Sequence, residues 1–216
     1  MTEAGERAAD QQTAGLWLAA QHEIVRRAAH EVKNALNGVA VNLEVVRGRL
    51  ARPGAPADSA AAFADTATGQ LERVTAYVEA LLALARPARE PADVPAVLHS
   101  LQPLLEAAAT THDIQLSLTT FEPATQATSA DPQVTRLVLV AALLAATERG
   151  ARAAGCHAAL GEAVPGGGAS AVVVRVARDG TAPTLDDEVA VAATRSGIHL
   201  ERAPDALTLT FPAVAG

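Results

Sequence analysis

The chain has 216 residues, enough for one large domain or two small ones, and half are hydrophobic but only 2% aromatic, so its core must be assembled from Ala, Val and Leu. A net charge of −7 with no Lys/Arg-rich block argues against nucleic acid or an anionic membrane as a partner. The lone Cys156 cannot close an internal disulfide and fits a reducing cytoplasm, the acidic start MTEAGERAADQQ is not a signal peptide, and no apolar run approaches the ~20 residues of a membrane span.

Residues 1–12 read as frayed. From Gln12 to Ala51 the spacing predicts one long helix, on the order of 60 Å at ~1.5 Å per residue. Its apolar positions Val25, Ala29, Val32, Leu36, Val39, Leu43, Val46 and Leu50 alternate steps of four and three, a coiled-coil-like seam. RPGAPAD (52–58) breaks the helix, and Asp58 or Ser59 is placed to cap the next one. That second helix, Ser59 to Ala85, repeats the pattern at Ala67, Leu71, Val74, Val78, Leu81 and Ala85. Two long helices joined by a short loop predict an antiparallel hairpin. A hairpin this long cannot bury its seam alone, so a homodimer forming a four-helix bundle is expected.

RPAREPAD (86–93) reads as a linker between a hairpin domain, 1–88, and a second domain, 93–216. In the latter, Val94 to Ala109 is helical and IQLSLTT (114–120) alternates like a strand. Asp131 caps an apolar helix reaching about Gly150. CHAALGEA (156–163) and AVVVRVA (171–177) read as a hairpin around PGGG. LDDEVAVAATRSG (185–197) is helical, and HLERA (199–203) and ALTLTF (206–211) are closing strands. The expectation is an α+β protein in which helices cover one face of an antiparallel sheet.

With His30 at zero and about 100° per residue, Asn34 falls near 40°, Asn37 near −20° and the apolar seam near 210°. His30 therefore points away from the seam, with two amides on its own face. Two readings fit: an ordinary solvated helix face, or an exposed imidazole able to attack phosphorus in line. Glu31 is placed to hydrogen-bond the imidazole, and Asn34 to orient a water or a phosphoryl group. Arg26 and Arg27, one turn earlier, would either steer an acidic partner or simply solvate the helix. Lys33 shares the broad face of His30 and could offset phosphate charge, but surface lysines are common on helices.

HEVKNALNGVAVNLEVVRGRL (30–50) resembles the H-box of sensor histidine kinases, His-Glu-x-x-Asn followed by Pro-Leu and an apolar seam. His30, Glu31, Asn34 and Leu36 match, while Ala35 stands where the family usually has proline. The resemblance continues through the second helix to LLALARP (81–87) and implies a dimerisation and histidine phosphotransfer domain. It implies His30 as phosphoacceptor, Glu31 as its acid/base partner and Asn34 as the residue used in dephosphorylating a response regulator.

Residues 93–212 look similar to the ATP-binding domain of the same family in element order, in Asp131 at the start of the central helix and in the closing Phe211–Pro212. The family's magnesium- and phosphate-holding asparagines fall at Ala141 and Ala145, which offer no ligating oxygen. In its Asp-x-Gly-x-Gly motif, Arg178 occupies the aspartate position and Ala182 the second glycine, with Asp179 and Gly180 shifted by one. The glycine-rich lid is missing, and GGG at 166–168 reads as a hairpin turn. An intact H-box beside a degenerate ATPase-like domain resembles the dimeric histidine phosphotransferases of phosphorelays. That implies response-regulator receiver domains as partners, no cofactor of its own, and Mg²⁺ supplied by the receiver. A pseudokinase adaptor, a response-regulator phosphatase, a kinase with an unusual nucleotide site and an unrelated Ala-rich scaffold remain alternatives. His22, His99, His112, His157 and His199 show no metal-ligand spacing and read as surface or satisfied histidines.

Overall fold

An Ala-rich sequence with few breakers gives two long helices, α1 (Glu3–Leu50, 48 residues) and α2 (Asp58–Ala85, 28 residues). The computed structural model describes residues 3–53, 56, 58–88, 91–120, 127–148, 151–161 and 171–214. α1 starts well before the expected Gln12. Its polar first turns are held by tertiary packing: Ala9, Thr13 and Leu16 lie against the later helices, and Trp17 is buried. α1 and α2 form the antiparallel hairpin. At its closed end Arg49 donates to the Ser59 carbonyl (2.8 Å) and lies 4.6 Å over the Phe63 ring. At mid-length Asn42 donates to the Gly38 carbonyl (2.8 Å) and to Gln70 Oε1 (3.3 Å), and a Cβ at Gly38 would collide with the Gln70 carboxamide.

The hairpin closes on only part of the expected seam, with Ala67 buried and Val32, Val74 and Leu81 half-buried against the core. Ile24, Ala28 and Ala35 of α1 are buried, as are Ala67, Tyr77 and Leu84 of α2. Val25, Ala29, Leu36, Leu43 and Leu50 are exposed, as are Leu71 and Val78. Small residues let the two backbones approach, and the larger side chains of the neighbouring stripe face outward.

The second part begins with β1 (Ala92–Asp93), too short to have shown in the sequence, which pairs antiparallel with β3 (Ala127–Thr128). In α3 (Val94–Thr110) Asp93 caps the helix by accepting the Ala96 N–H (3.1 Å), and Pro95 sits in the first turn. In α4 (Pro132–Ala146) Asp131 accepts the Val134 N–H (2.8 Å) and caps the helix as expected. α4 ends at Thr147, short of the expected Gly150, and is buried on nearly every side. β2 (Gln115–Thr120), β4 (Ala153–Gly161), β5 (Ala171–Arg178), α5 (Asp187–Arg195), β6 (His199–Arg202) and β7 (Ala206–Phe211) complete the fold. The PGGG turn lies outside the described residues.

The sheet order is β2-β4-β5-β7-β6. The sequence reading made it antiparallel, but β2 pairs parallel to β4 (Leu116↔Ala154, Leu118↔Cys156), so it is mixed. The chain between them crosses over through α4, which a parallel pair requires and a hairpin does not. Along β5, Val172, Val174 and Val176 are buried and Arg175 is exposed, so one face packs on the helices and the other meets solvent. Leu101, Leu104, Leu137 and Leu209 form the centre of the core, each stabilised by about 1.5–3 kcal/mol of burial.

The turn after α3 closes with the Ile114 N–H on the Ala109 carbonyl (3.1 Å), leaving Asp113 at φ 58° where glycine usually stands. Asp113→Gly is therefore expected to raise stability by up to about 1 kcal/mol. An unchanged or lowered urea midpoint would show that the Asp113 side chain contributes more than its backbone strain costs.

Candidate functional site

The hydrogen-bond ladder of α1 fixes where each side chain at the site points. His30 is exposed, and its imidazole makes no hydrogen bond among the described residues. Asn34, one turn on, donates from Nδ2 to Glu31 Oε1 at 3.3 Å, so two of the three H-box polar residues are joined to each other beside His30. Lys33 and Asn37 are exposed on the same broad face. The arrangement presents the imidazole ring to solvent, flanked by a carboxylate, two amides and one ammonium group. A nucleophile for phosphorus needs such access, because the attacking and leaving groups must lie on opposite sides of the phosphorus.

The two arginines before His30 part company. Arg26 is exposed and makes two 2.8 Å bonds to Glu23. Arg27, read in the sequence as its companion on the partner-facing surface, is instead buried at 8% exposure. Its Nε donates to Glu23 (2.6 Å), and its Nη1 reaches the carbonyls of Leu144 (3.1 Å) and Thr147 (3.5 Å) at the end of α4. Position 27 lies within about 20° of the exposed Asn34 around the helix axis, so its height along α1 decides its burial: the second part of the chain covers this face at Arg27 and not at Asn34.

That contact brings unpredicted neighbours to the site. Thr111 Oγ1 donates to the Arg27 carbonyl (2.8 Å), and His112 Nδ1 lies 2.8 Å from the Thr147 carbonyl oxygen. The α3–β2 turn, Thr111–Asp113, thus stands one helical turn from His30. Residues 84 positions apart meet here, and no local pattern could have announced it. Of the other histidines, His99 lines a cleft of about 590 Å³ between α2 and α3, and no metal-binding cluster of His, Cys, Asp or Glu occurs among the described residues. Burial pushes the Cys156 thiol up to about 12, so it behaves as an inert core residue.

In the second part, Ala141 and Ala145 present methyl groups, and Arg178 Nη1 lies 3.5 Å from the Ala145 carbonyl. The Asp179 carboxylate accepts the backbone N–H groups of Arg152 (2.9 and 3.1 Å) and Ala153 (3.4 Å), which holds its pKa below the ordinary carboxylate range. Ala182 is buried, and its N–H donates to the Pro204 carbonyl (2.9 Å).

No protein-family model matches the sequence, and no curated protein matches it. Among solved structures it is similar to a bacterial phosphotransferase at 14% identity and a TM-score of 0.41, over 89% of this chain and 95% of that one. It is also similar to the Acinetobacter baumannii histidine kinase AdeS at 14% identity and a TM-score of 0.41, over 86% of this chain and 98% of the other. The blue-light-activated histidine kinase of Erythrobacter litoralis gives 14% identity and a TM-score of 0.44, over 88% of this chain and 62% of its own. Likenesses at this level assign no role to any residue, and the site rests on its own chemistry. No helix is long and apolar enough to cross a membrane among the described residues.

Hydrogen bonding from Arg26 foremost, offset by partial burial and joined by Arg27, lowers the Glu23 carboxyl from 4.5 to about 2. A carboxyl depressed on folding stabilises above its unfolded value and loses that stabilisation as pH falls through its folded one. Urea midpoints are therefore expected to drop as pH falls from 4.5 towards about 2, and Glu23→Gln is expected to flatten that part of the profile. An unaltered acid limb in the variant would remove Glu23 as its source.

Proposed function

We propose that this protein is a histidine phosphotransferase of a phosphorelay, passing a phosphoryl group between receiver-domain aspartates through a phosphohistidine at His30. The observation that carries the reading is His30 itself: exposed, without a hydrogen-bond partner among the described residues, and flanked by the Asn34–Glu31 pair. In the first displacement the unprotonated ring nitrogen forms an N–P bond as the P–O bond to the first aspartate breaks, and the electron pair leaves with that carboxylate. In the second, a carboxylate oxygen of another receiver attacks phosphorus and the N–P electrons return to the ring. In this reading Glu31 takes up or returns the ring proton, Asn34 and Lys33 contact phosphoryl oxygens, and Arg26 and Asn37 meet the receiver surface. The receiver brings the Mg²⁺ that such an aspartate site uses.

ATP has no part in this reading, and the donor chemistry supports leaving it out. Ala141 and Ala145 cannot ligate a cation. The oxygens of Asp179 are taken by the backbone at the start of β4, and Arg178 stands over the end of α4.

The active species in this reading is a homodimer. Leu36 (48% exposed), Leu43 (52%) and Leu50 (63%) on α1 lie open beside Leu71 (53%), Val78 (48%) and Leu82 (54%) on α2. Between the helices Val25, Val32 and Leu36, with Leu81 and Leu104, line an apolar groove of about 350 Å³. Apolar stripes of this extent mark association surfaces. A second copy of the hairpin has the complementary stripe.

Radiolabelled phospho-receivers presented to the wild type and to His30→Ala test the transfer. Acid-labile, base-stable label on the wild type alone is expected. Loss of receiver label without label on the protein would replace transfer by phosphatase action. Receivers that keep their label in the presence of the wild type would leave an adaptor role in its place. For the assembly, Leu36→Glu combined with Leu43→Glu is expected to convert a dimer to a monomer in sedimentation velocity, and a wild type already monomeric at micromolar concentration would refute it.

A further inference from the structure

Where the hairpin meets the second part of the chain, the buried end of α4 and the end of α2, with Leu84 buried and Ala85 exposed, are each met by an arginine from the opposite side. Arg27 of α1 donates to Leu144 and Thr147 at the end of α4. Arg136 of α4, buried at 7% exposure, donates to the carbonyls of Arg86 (2.7 Å), Ala83 and Leu84 (3.5 Å) at the end of α2. The Arg136 guanidinium also lies 5.1 Å over the ring of buried Trp17, and Gln21 Nε2 donates to the Leu84 carbonyl (2.9 Å). Among the described residues no carboxylate pairs with Arg136. Backbone carbonyls and an aromatic face replace one, so the cation is satisfied only while hairpin and sandwich stay docked.

A structure that merely tethered two domains would need no such reciprocal arrangement. The linker 86–93 would suffice, and a catalytic domain that must reach a histidine gains from being loose. Here the clamp stands beside the phosphoacceptor. Thr111 Oγ1 bonds the carbonyl of the same Arg27 whose guanidinium holds α4, so the α3–β2 turn is fixed one turn from His30.

We propose that Arg27 and Arg136 are positioning residues that clamp the sandwich to the hairpin, holding the Thr111–Asp113 turn as a rigid wall beside His30 against which a receiver domain docks. The inference rests on the transfer reading above and adds a surface to it. A preordered wall lets a receiver dock without having to freeze the junction.

The test uses the full-length protein and Arg136→Ala, with Trp17→Leu as a second variant should the first fold poorly. Hydrogen exchange is expected to speed up in the last turn of α2 and around Thr111–Asp113. With the receiver that gives up label fastest to the wild type, half-saturation is expected to rise about tenfold, the cost of ordering a loosened face on docking, while the rate at saturation changes little. Labelling of His30 by phosphoramidate, a small donor that needs no docking, should match the wild type. Arg136→Lys, which keeps a cation at the end of α2, should recover part of the loss. Unchanged exchange, or faster exchange with unchanged half-saturation, overturns the clamp while leaving transfer standing. A wild type that accepts no label from receivers or from phosphoramidate overturns the transfer reading, and the docking role with it.

Discussion

The last carbonyls of an α-helix have no partner within the helix, and where a helix end is buried something else must donate to them. α4 ends buried in the junction of hairpin and sandwich, α2 ends at its edge with Leu84 buried and Ala85 exposed, and the architecture depends on how those ends are satisfied. Arg136 supplies the donors for α2 and Arg27 those for α4, each crossing from the other side. Neither end could be displaced from the junction without uncovering the other. Desolvation lowers the Arg136 guanidinium from its ordinary value, a sign of what burying it costs. The carbonyls it meets would cost comparably if left bare, so removing one side strands the other.

This constraint explains why α1 extends to Glu3. Its lower half is part of the sandwich core: Trp17 stacks on Arg136, Ile24 is fully buried, and Arg27 completes the contact. Beyond Arg27 the sandwich reaches α1 only on the side of Val32 and Leu36, where Leu104 lies, and His30, the next histidine on the helix, is exposed. One continuous helix thereby couples a packed foundation to an exposed imidazole. No loop intervenes in which its orientation could relax.

Much of this was legible. Period and breakers located both long helices, Asp131 announced the α4 cap, and alternation located β2, β5 and β7, because those signals are local. Three features were not. The pairing of Leu116 with Ala154 depends on a crossover through α4, which strand alternation cannot reveal. β1 and β3 hold two residues each, below any periodic signal. The fate of Arg27 depended on which side of α1 the sandwich would cover, and a helical wheel shows angles, not neighbours. The seam was half legible for the same reason. Its residues do form one stripe, but Ala28, Ala35 and Gly38 beside it admit α2 more closely, so the small residues took the intramolecular contact.

That division of labour on α1 bears on how the site can operate. Three stripes run along the helix: small residues against α2, large apolar residues outward, and the polar face of His30. The seam and His30 are separated by about 150° around the axis. A second copy covering the outward stripe would leave both histidines open, and the sandwich, docked below Arg27, would leave them open as well. The packing stripe, the exposed apolar stripe and His30 thus lie on different faces of one element. His30 can stay exposed because the burial that stabilises α1 is drawn from the other faces, where Ile24 and Ala28 are nearly inaccessible to solvent.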